Sequence, residues 1–115
     1  MRFRYFFFVL LFTSCASQKN KPPEVKLISA PDTVIAKASF EIDVKVLDPE
    51  GDFVKLRIDF LTGNIWESSG YARSGAVFRV AHVYLAPGSY SIFGQGEDIN
   101  GNASEWKFLK TIQVR

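Results

Sequence analysis

The sequence contains little of the chemistry on which most enzymes and metal centres depend. Its 115 residues include one cysteine and one histidine. A single cysteine excludes an internal disulfide framework and a cysteine-rich zinc site. A single histidine argues against most histidine-based hydrolase arrangements, and the chain has neither a glycine-rich phosphate loop nor a serine nucleophile elbow. We therefore predict that the protein is not an enzyme.

The chain also lacks a surplus of either charge once its first residues are set aside. It has 14 basic and 12 acidic residues, and Arg2 and Arg4 precede every acidic residue. From Cys15 onward, 14 minus 2 leaves 12 basic residues against 12 acidic ones, so the net charge is zero. Binding to nucleic acid needs cations that neutralise phosphates, so we expect no nucleic-acid partner.

The apolar run from Tyr5 to Phe12 is too short to span a membrane. As a helix, eight residues cover about 12 Å, against a hydrocarbon core of about 30 Å. A short apolar run behind Arg2 and Arg4 is the pattern of a secretory signal peptide. We assign residues 1–14 to that signal.

The residues around the cysteine extend this prediction. Phe12-Thr13-Ser14-Cys15 resembles the lipobox of bacterial lipoproteins, although Phe12 stands where that pattern has Leu, Val or Ile. The resemblance implies that Cys15 is lipidated and anchors the protein in a membrane of the bacterial cell envelope, at the outer membrane or the cell surface. The alternative is ordinary export with an incidental cysteine. Residues 15–23 read as the lipidated cysteine and a polar tether, of which residues 16–23 would span roughly 25–30 Å when extended.

The rest of the chain, residues 24–115, shows the period of β-strands. Phe40, Ile42, Val44 and Val46 alternate with polar residues, and Val54, Leu56, Ile58 and Phe60 do the same. Such alternation predicts strands with one buried face. Asp48-Pro49-Glu50-Gly51 between them suits a type I turn. Turn signals recur about every ten residues, which predicts an all-β, two-sheet antiparallel sandwich of about seven strands.

Four segments of this region resemble the PKD domain, an immunoglobulin-like β-sandwich. Leu47–Asp52 resembles its Asp-Pro-(Asp/Glu)-Gly-Asp turn, and Ile58–Gly63 lies where the family has Trp-Asp-Phe-Gly-Asp-Gly. His82–Tyr90 resembles its His-x-Tyr…Pro-Gly-x-Tyr segment, and Glu97–Trp106 its Asp-x-x-Gly-x-x-Ser-x-Trp ending. Leu61 and Thr62 depart from the family pattern, so we expect that turn to differ in detail.

The resemblance brings two candidate binding sites with it. We expect no cofactor and no metal, and we interpret Asp48, Glu50 and Asp52 as a solvated acidic turn. Because some PKD domains bind Ca²⁺, the alternative is that these three residues supply carboxylate ligands to that ion. Asp98 and Asn100 could add ligands only if the fold brings the two loops together. Trp66, Tyr71 and Trp106 could form an aromatic platform for sugar rings, and the alternative is that both tryptophans pack structurally.

Other residues carry structural expectations. We expect His82 to be structural, with its ring hydrogen-bonded near the turn, and Tyr90 to form a tyrosine corner. Gly94 and Gly96 lie at inward positions of a strand, which leaves room for something large; we expect Trp66 or Trp106 to fill it.

These patterns together predict a lipid-anchored, non-catalytic envelope protein whose sandwich mediates protein interaction or has a structural role at the membrane surface. The alternative function is that of a carbohydrate-binding module. The expected partners are the membrane, through the anchor, and an envelope or extracellular protein or glycan.

Overall fold

The computed structural model describes residues 21–115 of the chain. The predicted signal peptide, Cys15 and the tether as far as residue 20 lie outside the described residues. Among residues 21–115, no helix is long and apolar enough to cross a bilayer. The described residues form eight strands: β1 Glu24–Ser29, β2 Thr33–Val34, β3 Phe40–Leu47, β4 Val54–Asp59, β5 Ile65–Glu67, β6 Ala76–His82, β7 Gly88–Asp98 and β8 Lys107–Val114.

The strands form two packed sheets. One has the order β1-β3-β6 and the other the order β2-β8-β7-β4-β5. All neighbouring strands are antiparallel except the short β2, which runs parallel to β8. This arrangement confirms the predicted all-β, immunoglobulin-like sandwich.

The core follows from the alternation in the sequence. Side chains of β3 and β4 that point inward are almost completely buried, and their polar neighbours face outward. Because successive side chains of a strand point to opposite faces, each strand contributes every second residue to the space between the sheets. The buried apolar residues are Val25, Phe40, Ile42, Val44, Val46, Val54, Leu56, Ile58, Phe60, Val80, Tyr84, Ile92, Ile112 and Val114.

The two ends of the sandwich carry different loops. We call the end at which β1 begins the near end; it holds loops 48–53, 68–75 and 99–106. We call the opposite end the far end; it holds loops 35–39, 60–64 and 83–87. The register fixes this division, because Glu24 of β1 pairs with Leu47, whereas Phe40 pairs with His82.

Gly94 and Gly96 allow β1 to lie close to β7. A Cβ atom on Gly96 would lie 2.9 Å from Cγ1 of Val46 and 3.2 Å from Val25 Cγ2, and one on Gly94 would lie 3.2 Å from Val25 Cγ1. The expectation that a tryptophan fills this space is therefore wrong. The space is taken by short side chains of β1 and β3 and by Leu109, because the two sheets approach closely here.

This packing makes Gly96 sensitive to the smallest substitution. We expect Gly96→Ala to lower the free energy of unfolding by about 1–3 kcal/mol, since the added methyl group meets the branched, fully buried Val46. Urea denaturation measures the change. Gly70→Ala is the matched control, because nothing lies within 4 Å of its added Cβ, and its effect should stay within about 0.5 kcal/mol. Equal stabilities of the two variants would contradict the close approach.

Candidate functional site

A buried aspartate organises the acidic loop at the near end. Asp48 is 3% exposed, and its Oδ2 accepts hydrogen bonds from the backbone nitrogens of Glu50 and Asp52, each 2.9 Å long. The nitrogen of Gly51 donates to the Asp48 carbonyl at 3.0 Å, as the predicted turn requires. Gly51 has a φ of 79°, a conformation that glycine adopts without steric cost.

The loop after β7 repeats this construction. Asp98 is completely buried, and its Oδ1 accepts from the nitrogens of Asn100 and Asn102, each at 2.9 Å. Gly101 N donates to the Asp98 carbonyl at 3.0 Å. Both loops therefore have an aspartate that satisfies the backbone of its own turn.

A side-chain hydrogen bond joins the two loops. Nδ2 of Asn100 donates to Oδ2 of Asp52 at 3.0 Å. The fold thus brings Asn100 to the acidic loop, which the sequence left open. The Asp98 carboxylate, in contrast, is occupied by its own loop and by Nδ2 of Asn102.

The acidic loop has the donor set of a hard cation. Asp48, Glu50 and Asp52 each offer a carboxylate oxygen, and these oxygens lie within 4.8 Å of one another. Within residues 21–115 no donor reaches the buried Oδ1 of Asp48. Buried polar atoms normally have a partner, so an atom without one needs an explanation such as a bound ion or water. Oxygen ligands of this kind suit Ca²⁺.

The three candidate aromatic residues do not line one surface. Trp66 and Tyr71 line an open groove between β5 and β6, together with Phe78 and Arg79. Trp66 packs partly against the core, and the Tyr71 hydroxyl donates to Glu97 Oε2 at 3.3 Å. Trp106 is 42% exposed and is not among the residues that line this groove.

The charged side chains beside Tyr71 are paired with one another. Nζ of Lys55 lies 2.8 Å from Glu67 Oε2, and Nε of Arg57 lies 3.0 Å from Glu67 Oε1. The hydrogen bond from Lys55, with a second from Arg57, lowers the pKa of Glu67. Glu67 is therefore ionised at neutral pH and occupied by its two cationic neighbours.

The far end carries four exposed aliphatic side chains that the sequence analysis missed. Their exposed fractions are 69% for Ile35, 50% for Leu61, 39% for Val83 and 75% for Leu85. Leu61, Val83 and Leu85 line one open groove. Loop 35–39 is held beside it, because Lys37 N donates to the Tyr84 carbonyl at 2.8 Å. We call these four residues the far-end tip. The sequence signal for the far-end tip was Leu61, an apolar residue at a turn position where the PKD pattern has glycine.

An aromatic cluster supports the far-end tip from below. The buried Tyr84 hydroxyl donates to the Phe60 carbonyl at 2.9 Å, and the Tyr90 ring stacks on the Tyr84 ring at 3.9 Å. The Tyr90 hydroxyl donates to the Ala86 carbonyl at 2.7 Å, which confirms the predicted tyrosine corner. The loops of the far-end tip are thus tied to this cluster by two tyrosine hydroxyls.

His82 belongs to this cluster but does not bond as expected. Its ring stacks on the Phe60 ring with centroids 3.9 Å apart. No residue of the described part of the chain bonds to its buried Nε2, so the expected hydrogen bond of the ring is not made at this atom. The ring is held instead by stacking on Phe60 and by edge-to-face contacts with Phe40 and Tyr84.

Comparison with known proteins identifies the fold. No protein-family model matches the sequence, and no curated protein matches it. The structure is similar to the PKD domain of an M14-like peptidase from a Thermoplasmatales archaeon, with a TM-score of 0.71 and 23% identity over 83% of this chain and 97% of that one. It is also similar to the CARDB domain of a Pyrococcus furiosus protein in solution, with a TM-score of 0.57 and 17% identity over 82% of this chain and 96% of that one.

The crystal structure of that CARDB domain in complex with di-metal ions has a TM-score of 0.54 and 18% identity, over 84% of this chain and 91% of that one. At these identities the similarity concerns the fold. The protein has a PKD-like, immunoglobulin-type β-sandwich fold.

His82 gives the stability a defined dependence on pH. Burial lowers its pKa below the usual 6.5, so the unfolded chain binds a proton that the folded chain excludes. Stability is therefore fully present above pH 6.5 and falls as the pH drops below it. We expect urea denaturation to show a loss between about pH 7 and 5.5 for the wild type and a flatter profile for His82→Phe, since no other histidine is present. Parallel profiles would contradict this prediction.

Proposed function

We propose that the protein is a non-catalytic interaction module, anchored to the bacterial cell envelope through lipidated Cys15, that binds another envelope protein with its far-end tip. The observation that carries the proposal is the position of four exposed aliphatic residues at the end opposite to the start of β1. An anchor at Cys15 would attach to the near end. The tip would then point away from the membrane, toward other proteins.

The composition of the far-end tip favours a protein partner. Single exposed apolar residues are normal on a protein surface, but a contiguous group on adjacent loops is typical of an interaction site. The polar residues that share its groove, Thr62, Asn64 and His82, carry no full charge at neutral pH. A complementary apolar surface would bury Leu61, Val83 and Leu85 in this groove without burying a charged residue of its lining.

Leu61 offers a way to separate binding from stability. Its φ is 61°, which costs a non-glycine residue about 1 kcal/mol or more. Glycine adopts this conformation freely, so Leu61→Gly should maintain or raise the free energy of unfolding while it removes an exposed apolar side chain.

Crosslinking from native membranes tests the far-end tip. We expect a photocrosslinker placed at Thr62 to recover a specific envelope protein, and Leu61→Gly with Leu85→Ser to reduce that yield at least tenfold, about 1.4 kcal/mol. Val77→Ser is the matched control, because Val77 is 53% exposed on β6, outside the tip, and should leave the yield unchanged. An unchanged yield in the tip variant would contradict the proposal.

The groove between β5 and β6 supports a second candidate function, that of a glycan-binding module. Trp66, Tyr71 and Phe78 supply aromatic surface there, and Arg79 supplies hydrogen-bond donors. Aromatic side chains with nearby polar groups are suited to sugar rings. If soluble polysaccharide protects tryptophan fluorescence from an external quencher and crosslinking yields no protein, this function replaces the first.

We further propose that Ca²⁺ binds the acidic loop at the near end. The unpartnered, buried Oδ1 of Asp48 beside the carboxylates of Glu50 and Asp52 supports this proposal. Asn100 is held at Asp52 and could turn its amide oxygen toward the ion. The ion would add a link between two loops that are already joined by this side-chain hydrogen bond and by the backbone hydrogen bond from Ile99 N to the Phe53 carbonyl.

Thermal unfolding with and without calcium tests this site. Extracellular modules bind Ca²⁺ with dissociation constants of about 10⁻⁴–10⁻³ M, so 10 mM CaCl₂ should add about 1.4–2.7 kcal/mol and raise Tm by several degrees. Glu50→Gln and Asp52→Asn should abolish the shift. Glu105→Gln, which removes an exposed carboxylate elsewhere, should retain it. A shift of the same size in all variants would exclude the acidic loop as its source.

A further inference from the structure

Residues 21–23, which the sequence analysis assigns to the tether, pack against the sandwich. Pro23 is buried, and its Cβ lies 3.2 Å from the position of a Cβ on Gly96. Lys21 N lies 3.5 Å from Glu50 Oε2, at the acidic loop. A tether could therefore include at most the residues between Cys15 and Lys21. Six backbone steps span at most about 20 Å, so an anchor at Cys15 would keep the near end within that distance of the bilayer.

The near end carries exposed apolar side chains of its own. Leu47, Phe53 and Ile99 are 49%, 47% and 54% exposed, respectively. Ile99 N donates to the Phe53 carbonyl at 2.9 Å, so these two residues are cross-strand neighbours just beyond the ends of β4 and β7. Leu47 and Phe53 line one open groove. We call these three residues the near-end patch.

The charges around the near-end patch are mixed. Arg73 lines the groove beside it, and Lys21 lies at the same end, but so do the carboxylates of Glu50 and Asp52. These opposite charges give no net attraction to an anionic bilayer. A contact made by the patch would therefore depend on apolar side chains entering the interface, and three side chains need an acyl anchor beside them for stable attachment.

We propose that the near-end patch lies against the surface of the bilayer and that Phe53 and Ile99 enter its interfacial region. This inference rests on the proposed lipidation of Cys15, since the few residues between Cys15 and Lys21 would keep the near end close to the membrane. The lipid anchor and the patch then act as two attachments to one surface. They fix the direction of the sandwich, with the far-end tip turned outward.

Site-specific fluorescence tests this orientation. Ile99→Cys and Leu85→Cys are labelled with a nitrobenzoxadiazole dye in the lipidated protein, in which the sulfur of Cys15 is blocked. The proteins are reconstituted in phosphatidylcholine vesicles with and without brominated acyl chains, and EGTA excludes bridging by calcium. We expect the brominated lipid to reduce emission at least twofold at position 99 and to leave it unchanged at position 85.

Two further variants control for misfolding of Ile99→Cys and test the contribution of Phe53. Phe53→Cys replaces Ile99→Cys if the latter does not fold, with the same expected quenching. Adding Phe53→Ser to labelled Ile99→Cys should weaken the quenching, while the intact mass still shows the acyl chains on Cys15. Equal quenching at positions 99 and 85, or none at either, would overturn the bilayer contact and leave the anchor standing. An intact mass without acyl chains would instead remove the anchor and, with it, both proposals.

Discussion

The close approach of β1 to β7 is the constraint on which the rest of the structure depends. It is possible only because Gly94 and Gly96 lack side chains, so that Val25 occupies the space beside both. The same approach buries Pro23 and fixes the place where the chain joins the sandwich. Because of this packing, an anchor at Cys15 would lie beside the near end of the domain.

Different interactions hold the loops at the two ends of the sandwich. At the near end, Asp48 and Asp98 turn inward and accept the backbone hydrogen bonds of their own turns. At the far end, aromatic rings and two tyrosine hydroxyls hold the loops. The near end presents the carboxylates of Glu50 and Asp52 beside the exposed apolar residues of the near-end patch. The far end is organised by a buried aromatic cluster and presents aliphatic side chains.

The sequence predicts local features of this fold well and predicts tertiary contacts poorly. Alternation in β3 and β4 depends only on neighbouring residues, and so does the turn at Asp48; both are found as predicted. The occupants of the space at Gly94 and the partners of His82 depend on how the sheets pack, which no local pattern encodes. The far-end tip was missed for the same reason, since its loops are far apart in sequence.

Leu61 supports the proposal that the far-end tip is a binding surface. Its backbone is held in a left-handed conformation, with its nitrogen donating to Asp59 Oδ1 at 2.8 Å. Half of its side chain is exposed to solvent, so it gains little from burial to offset the backbone cost. Glycine would relieve the strain and expose no apolar surface. Leucine therefore adds little to the stability of the isolated domain at this position, which supports the proposal that a partner covers its side chain.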